Sequence, residues 1–183
     1  MSTDYEPLFD LTCSAVGAVL LPMTNHEPYA LTTTQIGAVG ESVAATGLVL
    51  ASGGRLAPFK PYADDDGIDL LIYDKASKGV IPLQVKSRTK VDNEKAMTAQ
   101  FDVRKATFSE EGDSHLLALL LDGSNLVCAW FIPMSDLKQV GYSRKTKYSV
   151  VASAKKTSKS RFAPYRYYTF EDLARAITAT FDI

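Results

Sequence analysis

The order of apolar runs and breakers constrains this 183-residue chain most: helix, strands, short helix, strands, helix. The first helix is expected over Thr33–Ser52, with Thr32, Thr33 or Thr34 able to cap it and Gly53-Gly54 to end it. Gly37, Ala38, Glu41, Ala44, Ala45 and Leu48 fall at helical spacing on one face. Such small side chains let a helix approach a sheet closely, and they place the Glu41 carboxylate away from the wet side. Gly37, Gly40 and Gly47 each cost about 1 kcal/mol against alanine inside a helix, so tertiary packing has to offset them.

An extended piece, Arg55–Tyr62, and an acidic turn, Ala63–Gly67, lead into two β-rich runs, Ile68–Tyr73 and Val80–Ser87. The short polar turn Asp74–Gly79 between them suggests a hairpin. Residues 97–103 read as a third strand and Arg104–Glu111 as a short helix. His115–Leu121 and Leu126–Pro133 are strongly apolar strands joined at Asp122-Gly123-Ser124-Asn125. One helical turn is expected over Ser135–Val140, an edge strand over Tyr148–Ala152, a mobile Ser/Lys loop over Ser153–Ser160 and a last helix over Thr169–Phe181. That order reads as a mixed sheet flanked by helices, in the α/β or α+β class. It forms one domain, 33–183, preceded by an arm, 1–32, whose apolar runs Tyr5–Leu11 and Ala15–Met23 are interrupted by Pro22 and Pro28. Strand and helix both remain open for the arm, which covers the core or reaches a partner subunit.

Apolar content of 46% and charged content of 22% are ordinary for a globular chain. No apolar run approaches the ~20 residues that span a bilayer, and the Met1 end has no basic signal-peptide region. A soluble, cytoplasmic protein with no membrane contact is expected. Cys13 and Cys128 sit among apolar residues and read as buried thiols in a reducing cytosol. Two scattered histidines, His26 and His115, and two cysteines make no zinc-ligand spacing, and no organic cofactor is expected.

The net charge of -1 conceals an asymmetry. No Lys or Arg precedes Arg55, and no Asp or Glu occurs from Leu137 to Phe170. That second stretch carries Lys138, Arg144, Lys145, Lys147, Lys155, Lys156, Lys159, Arg161 and Arg166. A block of one sign favours a polyanionic partner, by neutralising phosphates and releasing counterions. A solvated basic loop is the plainer alternative. Phe162, Tyr165, Tyr167, Tyr168 and Phe170 interleave with Arg161 and Arg166, which suits base stacking; packing into the core is the commoner use of such rings.

Strand alternation puts Gln84 and Lys86 on one face, and Asp69 joins them if the hairpin pairs as its loop suggests. The helix bearing Glu41 packs at the edge. An acid, an amide oxygen, a lysine and a second acid then converge, which is the set that phosphodiester hydrolysis needs. Mg²⁺ prefers hard oxygen ligands and keeps several waters. Asp69 is the natural primary ligand, Gln84 offers its side-chain oxygen, the Val85 carbonyl is a further donor, and Glu41 reaches the ion through water or holds a second ion. Lys86 holds the attacking water or stabilises the pentacovalent charge.

The pattern Glu41, then Gly67-Ile68-Asp69, then Gln84-Val85-Lys86 resembles the PD-(D/E)XK nuclease superfamily, in the branch with Gln in place of the second acid, as in Mrr-like enzymes. Phe101-Asp102-Val103-Arg104-Lys105 and Phe131-Ile132-Pro133 are similar to small prokaryotic members, Holliday-junction-resolvase-like and homing-endonuclease-like ones included. The resemblance implies a four-stranded mixed sheet flanked by helices, DNA cleavage with Mg²⁺ (Mn²⁺ substituting), and a homodimer. Several residues depart from the pattern. Gln84 carries no charge, Pro82 removes a strand donor, and Asp66-Gly67-Ile68-Asp69 stands where a Pro-Asp pair is usual. Asp65 or Asp66 is an extra ligand or simply part of an acidic turn. Arg88 and Lys90 contact phosphate or solvate a strand end. A catalytically inactive DNA-binding module on the same fold is the alternative that the neutral Gln84 motivates.

Overall fold

A computed structural model of the chain describes residues 31–62, 67–89, 97–107 and 113–182. The expectations for the arm up to residue 30, for Asp65 and Asp66, for Lys90, and for Cys13 and His26 lie outside the described residues.

Helix α1 (Thr33–Ala51) begins at a capping box. The Thr32 hydroxyl accepts from the Gln35 N–H, and the Gln35 side chain accepts from the Thr32 N–H, so two of the free amides at the helix start are satisfied. Gly53 and Gly54, at φ +59° and +80°, end it in a conformation other residues adopt only with strain. The buried face is Gly40, Ala44 and Leu48, whereas Ala38, expected on that face, is exposed. Two of the three glycines that weaken this helix, Gly40 and Gly47, let it dock, whereas Gly37 faces open space. A Cβ on Gly40 would stand 2.3 Å from the Ser87 hydroxyl oxygen, and one on Gly47 would stand 2.6 Å from the Phe170 ring.

The main sheet has six strands in the order β1 (Leu56–Phe59), β2 (Leu70–Asp74), β3 (Val80–Thr89), β5 (His115–Asp122), β6 (Asn125–Pro133) and β9 (Arg166–Tyr167). The β3–β5 pair is parallel and the others are antiparallel, so the sheet is mixed. It exceeds the four strands expected because β1 and β9 extend its two edges. Helices α1 and α3 (Phe170–Ala179) contribute to one apolar core with one face of this sheet. A second sheet, β4 (Thr98–Arg104), β8 (Lys147–Ser153) and β7 (Tyr142–Ser143), covers the other face together with α2 (Met134–Val140).

This arrangement explains why β5 is apolar at nearly every position. Leu117, Leu119 and Leu121 belong to the helix-side core, and Leu116, Ala118 and Leu120 to the core shared with the second sheet. Each such fully buried leucine contributes about 1.5–3 kcal/mol.

Four expectations change. The segment at 97–103 is a strand, but it belongs to the second sheet. Tyr148–Ala152 lies at the centre of that sheet, between β4 and β7, not at an edge. The Ser153–Ser160 stretch, expected to be mobile, is fastened by Arg166, whose guanidinium donates to the carbonyls of Ser153, Lys155, Lys156 and Ser158. The helix expected at Arg104–Glu111 is a single 3₁₀ turn, Lys105–Thr107, within the described residues. No helix among the described residues is long and apolar enough to cross a membrane.

Candidate active site

β2 and β3 pair from Leu70↔Leu83 to Tyr73↔Val80, which leaves the later half of β3 without β2 beside it. Asp69 stands just before β2 and uses that open edge. Its N–H donates to the Leu83 carbonyl at 2.9 Å, and its carboxylate Oδ2 accepts the Val85 N–H at 2.6 Å. The carboxylate thus occupies the place a further strand residue would take. An antiparallel strand residue turns its N–H and C=O to the same side, so the Val85 carbonyl faces this edge too. The Lys86 ammonium lies 3.9 Å from the same Asp69 oxygen. Gln84 is 6% exposed, and its Oε1 is buried with no hydrogen-bond partner. Leaving a buried acceptor unsatisfied costs about 1–3 kcal/mol, so an oxygen in this position favours a ligand that bonds to it.

Asp69, Val85 and Lys86 thus meet at this edge, and Gln84 stands between Val85 and Leu83 in β3 with its side-chain amide close over Gly67. Glu41 is held by a partner of its own. Its Oε2 accepts from the Lys60 ammonium at 2.6 Å. The two line a cleft of about 170 Å³ with Ser42, Ala45, Pro58 and Leu70. Leu70 directly follows Asp69, so the cleft opens beside the strand that carries the acid. Among the described residues, no three acidic, cysteine or histidine side chains gather closely enough to hold a metal by themselves. The candidate donors are mixed: the Asp69 carboxylate and the Val85 carbonyl at the strand edge, and the Gln84 amide oxygen on the neighbouring residue of β3. Those hard oxygens fit a divalent ion of the Mg²⁺ type, which takes few protein ligands and keeps water.

Two residues that sequence reasoning did not place in the site shape its wall. Gly67 has φ +69°, and a Cβ there would stand 2.8 Å from Thr107 Cβ and 2.9 Å from Gln84 Nε2. Thr107, at the end of the 3₁₀ turn, and the Gln84 amide thus both close on Gly67, where only a residue without a side chain fits. Gly67→Ala is expected to lower stability by roughly 1–3 kcal/mol, from backbone strain plus overpacking. A thermal melt checks this, with a fall of about 3–10 °C expected for a chain of this size.

The basic residues divide by role. Arg166 serves the four carbonyls named above. Arg161 stacks over Tyr142 at 4.1 Å, and Lys156 lies 5.2 Å from the Tyr168 ring centroid. The Arg88 Nε donates to the Gln100 carbonyl and fastens β3 to β4. Lys147 pairs with Asp102 at 2.6 Å. Arg144, Lys145, Lys155 and Lys159 stand at the surface, exposed or half-exposed. The interleaved aromatics pack inward: Phe162, Tyr165 and Tyr168 on the second-sheet core, Tyr167 and Phe170 on the helix-side core. His115, expected to be bland, stacks on Phe131 at 4.2 Å, and burial lowers its pKa.

No family model matches the chain, and no curated protein does. Its structure is similar to that of a bacterial homing endonuclease, I-Ssp6803I, with a TM-score of 0.54 and 20% identity, over 82% of this chain and 94% of that one. A Holliday junction resolvase, Hjc of Archaeoglobus fulgidus, aligns with a TM-score of 0.41 and 11% identity over 69% of this chain and 96% of its own. At 20% identity the first likeness is one of architecture, and that architecture, a mixed central sheet flanked by helices, is the restriction-endonuclease-like fold.

Proposed function

We propose that this protein is a divalent-metal-dependent endonuclease that hydrolyses DNA phosphodiester bonds. The observation that carries the reading is the edge of β3, where the Asp69 carboxylate bonds Val85 and lies beside the Lys86 ammonium, with the buried Gln84 Oε1 on the preceding strand residue left without a partner among the described residues. Asp69, Gln84 Oε1 and the Val85 carbonyl hold the ion, Mg²⁺ or Mn²⁺. When bound, such an ion supplies a Lewis acid for the scissile phosphate and a more acidic attacking water. Lys86 places a positive charge against the phosphate oxygens as negative charge builds there. Glu41, once released from Lys60, orients a water at the same edge. Gln84 adds no charge, so Asp69 supplies the negative charge that retains the ion. A homodimer would set one site against each strand of a duplex. Burial pushes the Cys128 thiol up to about 12, which makes it an inert packing residue suited to a reducing cytoplasm.

The test is cleavage of supercoiled plasmid and of branched DNA with Mg²⁺ or Mn²⁺. Wild type is expected to cut, chelation to stop it, and Lys86→Ala to slow it about 10²–10³-fold. Salt-sensitive DNA binding with no cleavage of any substrate would instead establish a binding module. The neutral Gln84 and the Lys60–Glu41 pair are the observations that favour this second reading.

A further inference from the structure

The second sheet gathers a basic end that is not contiguous in sequence. Arg104, the last residue of β4, pairs with Lys147 at the start of β8. The next residue, Lys105, donates its N–H to the Thr146 carbonyl and its ammonium to the Ser143 hydroxyl. Arg144 and Lys145 form the turn between β7 and β8, closed by the Arg144 N–H on the Lys147 carbonyl. Among the described residues, Asp102 is the acid on this end, and it is occupied by Lys147 and Ser149. Among the described residues, Arg104, Arg144 and Lys145 are exposed and make no ion pair. The same 3₁₀ turn that starts at Lys105 ends at Thr107, which closes on Gly67 beside the Gln84 amide. The basic end therefore abuts the candidate active site.

We propose that Arg104, Lys105, Arg144 and Lys145 grip the backbone phosphates of duplex DNA beside the bond to be cut. This inference rests on the endonuclease reading for its position relative to the chemistry. The choice of duplex over single strand comes from the rings nearby. Binding of single strands uses open aromatic faces on which bases stack. Here Tyr148 is 8% exposed beneath Lys105, and Tyr142, 40% exposed, has one ring face taken by the Arg161 guanidinium. What is most accessible here is charge, on Arg104, Arg144 and Lys145, which reads a backbone and not a base. The grip also separates these four residues from the rest of the basic segment, where Arg161 and Arg166 hold the fold.

The experiment is anisotropy of a labelled duplex, without divalent ions, against salt concentration. The triple variant Arg104→Ser/Arg144→Ser/Lys145→Ser is compared with Lys155→Ser/Lys159→Ser and with the charge-keeping Arg104→Lys/Arg144→Lys/Lys145→Arg. The serine triple is expected to weaken duplex binding roughly tenfold or more and to reduce the log–log salt slope by about 3, close to one unit per phosphate contact. The charge-keeping triple restores both, which separates lost charge from lost folding. The inference is overturned if the serine triple binds as wild type does, if the Lys155/Lys159 pair carries the loss, or if wild type prefers the single strand. A wild type that binds through this end without cutting removes the nuclease reading alone; one that cuts while the serine triple binds and cuts equally removes the grip alone.

Discussion

Asp69→Asn is expected to reduce cleavage by about a thousandfold or more, roughly 4 kcal/mol of transition-state stabilisation, while the protein melts within a few degrees of wild type. The two halves of that expectation come from the two duties of one carboxylate. Its structural duty is to accept the Val85 N–H at 2.6 Å, at an edge where no strand residue does so. An asparagine oxygen accepts the same bond with the same shape. Its chemical duty is to supply negative charge next to a neutral amide oxygen, and no described acid takes part in a three-carboxylate cluster that would replace it. Asparagine removes that charge entirely. Asp69→Ala loses both duties and confounds them, because it also orphans the Val85 N–H. Initial rates across a Mn²⁺ titration, run beside a thermal melt, check the expectation. Retention of cleavage within tenfold of wild type would show that the ion is held elsewhere.

The parts of this molecule that were legible in its sequence are those fixed by nearby residues. The start of α1 follows from Thr32 and Gln35, three residues apart, and its end from Gly53-Gly54. The β2–β3 hairpin follows from two β-rich runs and a short turn, and it carries Asp69 to Lys86. What was not legible depends on partners distant in the chain. Gly40 and Gly47 read as liabilities in a helix because Ser87 and Phe170, the residues they make room for, lie far downstream. Tyr148–Ala152 looked like an edge because its period says which face is buried, not how many strands flank it. Glu41 is half-buried beside the docked face of α1, and the sequence had no means of showing its partner Lys60, which arrives on the chain leaving β1. Composition alone could not separate an arginine that caps four carbonyls, Arg166, from one that points into solvent, Arg144. Thr107 had no signal at all: a lone threonine after a strand becomes a wall of the site only when Gly67 folds against it.

Asp74→Ala is expected to lower stability by roughly 3 kcal/mol, about 10 °C in melting temperature, without touching the chemistry. Asp74 closes β2 at the end opposite Asp69, and its side chain is fully buried. It accepts from Arg55 Nε at 2.7 Å and from a terminal Arg55 nitrogen at 2.9 Å, and also from the N–H groups of Ala76 and Ser77. Arg55 reaches on to Asp182, so one guanidinium ties the start of β1, the β2–β3 turn and the chain beyond α3. Removing the acid leaves those donors unpaired, whereas the half-exposed Arg55 regains some water, which keeps the loss at the low end for a buried pair. Arg55 holds the Asp74 carboxyl well below the usual carboxylate range, against the opposing effect of burial. The native state therefore binds this proton less readily than the unfolded chain, whose value lies near the ordinary ~3.9. The stabilisation is complete above that value and is lost as pH falls below it toward the native one. Melts from neutral pH to about pH 3 should therefore show wild type losing stability steeply in acid. Asp74→Asn should start lower at neutral pH and fall less. An equal acid slope in both proteins would mean that another carboxylate governs the acid limit. Cleavage at low temperature by the folded Asp74→Asn protein separates the two ends of β2: one anchors the strand, and the other presents the acid.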